Sequence, residues 1–289
     1  MGAGDHGGDA RERTLAADWL GASRAAAGAL RRILDARPTT AERAIETGTR
    51  GEGGDRTLEI DAEAEAAVFA ELERLYDEGA RFTAVSEERG RVEFGDDGVL
   101  VVIDPIDGSV NAKRGLPYTA ISIAVADGPT MADVVFGYVY DFGPEEEWVA
   151  WRGRGATLDG AALEPGAPER RTGDGRLELL AIESADPRWV RMGADALAEV
   201  AYRLRAIGTM AVALCQVAAA RFDGMVTLRN CRAVDVAAAQ LIVREAGGQV
   251  AFTNCAEPLG APLDLVPHSP LVAARSAESL AQLARVPIT

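Results

Sequence analysis

The chain has 289 residues, of which 48% are hydrophobic, and a formal net charge of −15 at pH 7. A chain of this length buries one large core or two adjoining ones, and the acidic balance argues against a general nucleic-acid-binding surface. No apolar stretch approaches the ~20 residues of a membrane-spanning helix, and the N-terminus lacks a signal-peptide core. The three cysteines are widely spaced, which is typical of a reducing compartment, so we expect a cytoplasmic protein with no membrane partner.

In chain order, the first half predicts an α+β domain over residues 14–170, preceded by a disordered tail over 1–13. Apolar residues at near-helical spacing predict its helices. The helices are expected over 14–36 and 62–78, and strands near 82–86, 99–103, 119–126, 133–140 and 147–151, the last two antiparallel. A stretch rich in Pro, Gly and charge over 166–175 predicts the end of this domain.

The second half predicts an α/β domain over residues 171–289. Its strands are expected near 177–182, 224–228 and 249–252, and its helices near 188–200, 209–221 and 236–246.

The most informative segment is 99–111, which reads VLVVIDPIDGSVN. Its first five residues fit a strand buried on both faces. A Pro-Ile bend separates Asp104 from Asp107, so both carboxylates can turn toward one point. Two like charges about 4 Å apart repel by about 4 kcal/mol at an effective dielectric near 20, so a cation is expected between them. Oxygen ligands favour Mg²⁺, with Mn²⁺ as the second choice.

Gly108 and Ser109 then open a predicted short helix, whose free N–H groups can hold a phosphate. The alternative interpretation of Asp-Pro-x-Asp-Gly is a surface turn that caps a helix. Two further carboxylate segments favour the metal site. Glu87 and Glu88 end a short apolar run, and Asp235 begins an apolar helix that closes at Gly247-Gly248.

These three blocks, in this order, resemble the inositol monophosphatase family, which belongs with the fructose-1,6-bisphosphatases. Segments 148–160 and 205–224 resemble the family's hairpin block and its Gly-Ser-plus-helix block, so the resemblance spans about residues 50–255. It implies a layered α-β-α-β-α sandwich of the sugar phosphatase type, combining α+β and α/β halves. It also implies a Mg²⁺-dependent phosphomonoesterase that acts on a small phosphorylated metabolite, and a homodimer.

The resemblance assigns roles residue by residue. One metal would be held by Glu87, Asp104 and the backbone carbonyl of Ile106, and a second by Asp104, Asp107 and Asp235. Ser109 stands where the family usually has Thr, and it would help Glu87 to orient a metal-bound water. Asp61 matches an acidic, catalytic position near a third metal, although an N-cap of the helix that follows explains it equally well. Two or three Mg²⁺ per subunit are therefore expected, and the implied substrate-binding residues are Gly108, Ser109, Gly208 and Thr209.

The chain departs from the family at several positions. Val234 replaces a Trp, and Leu228 replaces a Glu that accepts sugar hydroxyls in inositol-preferring members. The segment 228–235 is more similar to archaeal-type members, some of which hydrolyse both inositol monophosphate and fructose 1,6-bisphosphate. Arg229 or Arg232 can hold a second phosphate there, or both can be surface arginines.

Other functions stay open. Adenosine 3′,5′-bisphosphate or NADP are alternative substrates within the family, and a non-catalytic sensor of metal or phosphometabolite is the alternative outside enzymes. Cys215 and Arg221 have the Cys-x5-Arg spacing of protein tyrosine phosphatases, but an Ala-rich helix cannot form the required phosphate loop. Lys113 and Arg114 either steer an anionic substrate or form an exposed loop pair.

Overall fold

The computed structural model describes residues 6–50, 52 and 56–286. Its helices are α1 (His6–Leu15), α2 (Trp19–Asp35), α3 (Thr40–Arg43), α4 (Glu59–Asp77), α5 (Ser109–Arg114), α6 (Pro187–Val200), α7 (Met210–Ala218), α8 (Ala233–Glu245) and α9 (Ala277–Leu283). Its strands are β1 (Glu46–Arg50), β2 (Arg56–Leu58), β3 (Phe82–Ser86), β4 (Gly90–Asp107), β5 (Ala120–Ala126), β6 (Val134–Asp141), β7 (Glu146–Trp151), β8 (Gly155–Leu158), β9 (Ala161–Ala162), β10 (Leu177–Glu183), β11 (Ala201–Arg205), β12 (Gly224–Thr227), β13 (Gln249–Phe252) and β14 (Leu271–Ala274).

Two large sheets organise the chain. Strands β3 to β9 form a seven-stranded sheet in sequence order, whereas the five-stranded sheet has the order β11-β10-β12-β14-β13. In the second sheet β10 pairs in parallel with β11 and β12, and β14 pairs antiparallel with β12 and β13. Strands β1 and β2 form a separate antiparallel pair.

The chain forms five layers with three hydrophobic cores, of which the middle one extends on both sides of the central helix layer. Helices α2 and α4 cover one face of the seven-stranded sheet, where Trp19, Leu30 and Phe69 are buried. Helices α7 and α8 fill the space between the two sheets, and α6 and α9 contribute Leu197 and Leu283 to a core on the outer face of the second sheet. The α-β-α-β-α sandwich predicted from the sequence is thereby confirmed.

The middle core explains why α8 is apolar on every side. Its residues from Ala233 to Val243 are buried because the helix lies between two sheets, so no face of it is left for solvent. The same core contains residues from both sheets. The sheets do change between Ala162 and Leu177, but a shared core joins the two halves, and the division at residue 170 stays a prediction.

The N-terminal tail is where the structure differs most from the sequence-based expectation. Residues 6–15 form α1 rather than a disordered segment, and residues 1–5 lie outside the described residues. Arg11 explains the order, because its guanidinium bonds both the carboxylate and the backbone carbonyl of Asp127. The sequence gives no local signal for a contact between residues so far apart.

Strand β4 carries the segment that the sequence singled out. Residues 99–103 are at most 4% exposed, as expected for a strand covered on both faces. They pair in parallel with β3, from Thr83↔Leu100 to Ser86↔Ile103, and the strand continues to Asp107 with an irregularity in its pairing between Asp104 and Asp107. Strand β5 lies on its other side, so the end of β4 is held between two neighbours.

Two further sequence-based expectations concern the whole chain. Of the helices in the described part, none combines the length and apolarity needed to cross a bilayer. The three cysteines are all free thiols, and Cys215 and Cys231 are buried, as expected for packed small apolar groups.

Candidate metal centre

The carboxyl end of β4 presents two buried aspartates. Asp104 is 2% exposed and Asp107 is 7% exposed. The Oδ1 atom of Asp104 accepts a hydrogen bond from the backbone N–H of Ile106 at 3.0 Å, which fixes the bend predicted at Pro105. Asp107 accepts hydrogen bonds through Oδ2 from the hydroxyl of Thr209 and from the backbone N–H of Ala211, the latter at 2.7 Å. These hydrogen bonds use only Oδ1 of Asp104 and Oδ2 of Asp107, and leave the other oxygen of each carboxylate for a ligand.

Helix α5 begins at Ser109, two residues after Asp107, as predicted. Gly108 precedes it with φ +92°, and a Cβ atom there would lie 2.8 Å from the backbone oxygen of Tyr118, so glycine is required. The Ser109 hydroxyl donates to the backbone oxygen of Ile106 at 3.0 Å. This contact links the predicted water-orienting hydroxyl to the carbonyl that the family resemblance assigns to a metal.

Helix α8 brings the fourth predicted ligand from the other half of the chain. Asp235 lies in its first turn, 7% exposed, and its Oδ2 atom accepts from the backbone N–H of Arg232 at 3.0 Å. The Arg232 side chain then bridges two predicted ligands. Its Nη2 atom is 2.9 Å from Oδ1 of Asp235, and its Nη1 atom is 2.6 Å from Oε1 of Glu87, the residue that follows β3.

Electrostatics show that these four carboxylates share one environment. Burial raises the pKa of Asp104 well above its ordinary range, and the charges of Glu87, Asp107 and Asp235 raise it further. Burial, and then the charge of Asp235, raises the pKa of Asp107 to about 7, against the hydrogen bond from Thr209. Burial also raises the pKa of Glu87. Mutual repulsion on this scale is the condition that a bound cation relieves.

Asp61 lies at the edge of the same group. It occupies the first turn of α4, which begins three residues earlier than predicted, so it is not an N-cap residue before Ala62. Its Oδ2 atom accepts from the backbone N–H of Leu58 at 3.2 Å, whereas its buried Oδ1 atom has no hydrogen-bond partner. A small cavity beside it is lined by Asp61, Glu87, Glu88, Asp104, Pro105, Ile106 and Ser109.

The environment of Asp61 also involves the lysine of α5. Burial raises the pKa of Asp61 to about 7, and Glu88 and Glu87 contribute, while the charge of Lys113 lowers it. Lys113 is half-buried in the last turn of α5 rather than in a loop, and its role in steering an anionic substrate stays a prediction. Arg114, the other member of the pair, is exposed.

A cleft of about 430 Å³ opens beside Asp107, Arg232 and Asp235. The predicted substrate residues Gly208 and Thr209 line it, and Thr209 is the N-cap of α7. The other residues that line the cleft are Val110, Asn111, Glu183, Ser184, Ala185, Ala206, Ile207 and Met210.

Two residues that organise this cleft, Glu183 and Asn111, were not among the predicted site residues. Glu183, which is 3% exposed, accepts from the backbone N–H groups of Ile207 at 3.0 Å and Gly208 at 3.2 Å. Asn111 donates through Nδ2 to the backbone oxygen of Ile207 at 2.7 Å, so both side chains fix the same turn. Glu183 had a detectable signal, because it ends the apolar strand β10 just as Asp104 follows the apolar run of β4.

Other singled-out positions lie apart from the cleft. Arg229 is exposed, and its guanidinium stacks at 4.7 Å on the ring of Trp189. Leu228 is fully buried in the core that α6 and α9 cover, and Val234 is buried between the sheets. The family's Glu and Trp positions are therefore occupied here by packed apolar side chains.

The donor set fits a divalent cation, although its present arrangement is not that of a closed metal site. Carboxylate and carbonyl oxygens are the ligands that Mg²⁺ prefers, and the buried Oδ1 of Asp61 has no hydrogen-bond partner that would compete with a cation. In the described ranges, no three His, Cys, Asp or Glu side chains converge closely enough to hold a metal ion. The Arg232 guanidinium lies between Glu87 and Asp235, in the space where such a convergence would occur.

Comparison with known sequences agrees with this geometry. Residues 17–286 match the sequence profile described as the Inositol monophosphatase family. A fructose-1,6-bisphosphatase/inositol-1-monophosphatase of Methanothermobacter thermautotrophicus is 36% identical over 211 residues, which cover 69% of this chain and 72% of the relative. The Nus factor SuhB of Escherichia coli K12 is 34% identical over 220 residues, covering 73% of this chain and 77% of the relative.

Solved structures show the same fold. An inositol monophosphatase-fructose 1,6 bisphosphatase aligns with a TM-score of 0.78 at 24% identity, covering 93% of this chain and 99% of the other. The extragenic suppressor protein SuhB of Bartonella henselae aligns with a TM-score of 0.74 at 25% identity, covering 92% of this chain and 97% of the other.

Proposed function

The chain belongs to the inositol monophosphatase family and is a phosphatase; on that premise we propose that it is a Mg²⁺-dependent phosphomonoesterase of inositol monophosphate, fructose 1,6-bisphosphate or both. The observation that carries the proposal is the group of four buried carboxylates, Glu87, Asp104, Asp107 and Asp235. Burial, and then the charges of neighbouring carboxylates in the group, raises the pKa of the first three. Such a group is stable in its charged form only with cations, and the adjoining cleft is large enough for a sugar phosphate.

We assign the metal ligands as the family resemblance does, to these four carboxylates and the carbonyl of Ile106, with Asp61 beside a third position. Bound Mg²⁺ would neutralise charge on the phosphoryl group and lower the pKa of a water molecule. Two or three ions per subunit are proposed, with Mn²⁺ as a substitute.

The chain's own residues then position the reactants. The Ser109 hydroxyl is held by Ile106 with its lone pairs free to accept a hydrogen bond, so it and the second oxygen of Glu87 can orient the attacking water. The turn 207–209, fixed by Glu183 and Asn111, forms the wall of the cleft against which the substrate packs. No side-chain nucleophile is required, and we propose direct attack by water without a phosphoenzyme.

Phosphate release tests the proposal. Inositol 1-phosphate, fructose 1,6-bisphosphate, adenosine 3′,5′-bisphosphate and NADP⁺ are assayed with Mg²⁺ and with EDTA. We expect Mg²⁺-dependent release from one or both of the first two; turnover that persists in EDTA would contradict the proposal. A preference for adenosine 3′,5′-bisphosphate or NADP⁺ would keep the chemistry and correct the substrate.

Relatives named Nus factor SuhB favour one further candidate function, because that name describes a factor rather than an enzyme. The candidate is a protein that binds metal and a phosphometabolite without turnover. The buried apolar Leu228 and Val234, which replace polar and aromatic family residues, support it. Mn²⁺ binding together with no turnover of any of the four substrates would favour this function.

We also propose a homodimer, on the family resemblance alone. Its measurement is the mass of the purified chain by sedimentation or light scattering.

A further inference from the structure

Arg232 makes an unusual set of contacts for a residue among metal ligands. Its guanidinium bonds Glu87 through Nη1 and Asp235 through Nη2, and its Nε atom is 3.4 Å from the second oxygen of Asp235. All three side chains are at least three-quarters buried, with exposures of 23%, 14% and 10% for Arg232, Glu87 and Asp235. Contacts of this kind are charge-assisted and strong because little solvent screens them.

These contacts use the oxygen atoms that a metal ion would need. The backbone N–H and the guanidinium of Arg232 together engage both oxygens of Asp235. The same guanidinium engages Oε1 of Glu87, a residue 145 positions away in the sequence. A divalent cation that binds both carboxylates must displace this guanidinium from at least one of them, because two cations cannot share those lone pairs at close range.

We propose that Arg232 is an internal counter-ion that competes with the divalent cation for Glu87 and Asp235, and is displaced from Glu87 when the cation binds. This inference rests on the proposed metal site. Arginine suits the role because its planar fork spans two carboxylates, whereas a lysine ammonium is a single point charge. The competition stabilises the fold when no divalent cation is bound, and it weakens the affinity for that cation.

The experiment compares Arg232→Gln with the wild type after removal of metal by EDTA and dialysis. Mn²⁺ binding is measured by calorimetry or electron paramagnetic resonance, and the melting temperature is measured in EDTA. We expect Arg232→Gln to bind Mn²⁺ at least tenfold more tightly than the wild type and to melt at a lower temperature in EDTA. Saturating Mn²⁺ should remove most of that difference in melting temperature.

Arg188→Gln is the matched control. Arg188 forms the same fork, with Nε and Nη2 on the two oxygens of Asp186 at 2.9 and 2.7 Å, but its side chain is 77% exposed. The variant should bind Mn²⁺ as the wild type does. Arg232→Lys serves where the glutamine variant does not fold, since it keeps the charge and loses the fork; it too should bind Mn²⁺ more tightly than the wild type.

The outcomes separate this inference from the proposed function. Equal or weaker Mn²⁺ affinity in both Arg232 variants, with wild-type binding intact, would overturn the competition and leave the metal site standing. Absence of Mn²⁺ binding in the wild type, or undiminished binding in Asp104→Asn, would overturn the metal site and the inference together.

Discussion

Two buried groups of charged side chains in this protein differ in how completely their hydrogen bonds are made. In the first, Glu169 accepts from the backbone N–H groups of Arg275 and Ser276 and from the side chains of Arg171, Ser276 and Ser279. Arg275, which is 8% exposed, donates in turn to three backbone carbonyl oxygens at 2.6 to 3.0 Å. Each charge in this group has partners on several sides.

The second group is the candidate metal centre, where carboxylates outnumber the cations that face them. Asp104 has a backbone donor, but burial and then three neighbouring carboxylates raise its pKa, and Asp61 has an oxygen without a hydrogen-bond partner. The comparison distinguishes buried charges that stabilise the fold from those suited to binding a ligand. A network with all its hydrogen bonds made stabilises the folded state, whereas a buried group of like charges destabilises it and is typical of a binding site.

The largest expected effect comes from Asp104→Asn. The change removes a carboxylate that faces three others, so we expect Mg²⁺-dependent phosphatase activity to fall at least ~100-fold, while the melting temperature in EDTA stays equal or rises because repulsion is relieved. Initial rates and thermal melts measure the two quantities. Asp141→Asn is the control, since Asp141 is also a fully buried aspartate with an unpartnered oxygen but lies outside the site. Near-normal turnover of Asp104→Asn at saturating Mg²⁺ would reject the assignment.

Glu169→Ala should give the opposite pattern. It leaves the backbone N–H groups of Arg275 and Ser276 and the hydroxyl of Ser279 without their acceptor, so we expect a loss of about 3 kcal/mol in the free energy of unfolding. Mn²⁺ affinity of the folded variant should stay within about twofold of the wild type. Denaturant melts measure the free energy of unfolding, and Mn²⁺ titration measures the affinity. A variant with unchanged stability and altered Mn²⁺ affinity would contradict the distinction between the two groups.

The buried Glu183 should make the stability of the protein depend on pH. Burial raises its pKa to about 8 from an ordinary value of 4.5, so between these values the folded chain binds the proton that the unfolded chain has lost. This contribution to stability is therefore present at low pH and is lost as the pH rises toward 8, by up to about 1.4 kcal/mol per pH unit. Glu183→Gln mimics the protonated acid, so its melting temperature in EDTA should depend less on pH between 5 and 8 than that of the wild type. If the melting temperatures of the variant and the wild type change in parallel with pH, Glu183 is not the group that makes stability depend on pH.

Ser109 gives the smallest expected effect. Ser109→Ala removes the hydroxyl that bonds Ile106, and we expect kcat to fall about tenfold with little change in melting temperature, because the residue is only half-buried. Ser109→Thr keeps the hydroxyl and should retain activity within about threefold. Equal loss in both variants would indicate a packing role rather than an orienting one.

Much of the fold could be predicted from local patterns. Strands β3, β5 and β13 were predicted to within a residue, since uninterrupted apolar runs or bounded short runs indicate buried strands. Strand β11 and helix α9 were missed because β11 is exposed at a sheet edge and α9 is short, so neither has a clear apolar pattern. The order of α1 was missed because it depends on Arg11 reaching Asp127.

The candidate site also combines features that the sequence predicts with features that depend on tertiary contacts. The sequence by itself determined which carboxylates are candidate ligands, because Glu87 and Asp104 end apolar runs and Asp235 begins an apolar helix, and the family resemblance added their predicted roles. Only the tertiary structure decided that Arg232 bridges Glu87 and Asp235, that Glu183 fixes the turn at Gly208, and that Leu228 packs in the core instead of lining the cleft. The physical reason is that these contacts depend on how two sheets pack through α7 and α8, and packing between distant segments leaves no periodic trace in either segment alone.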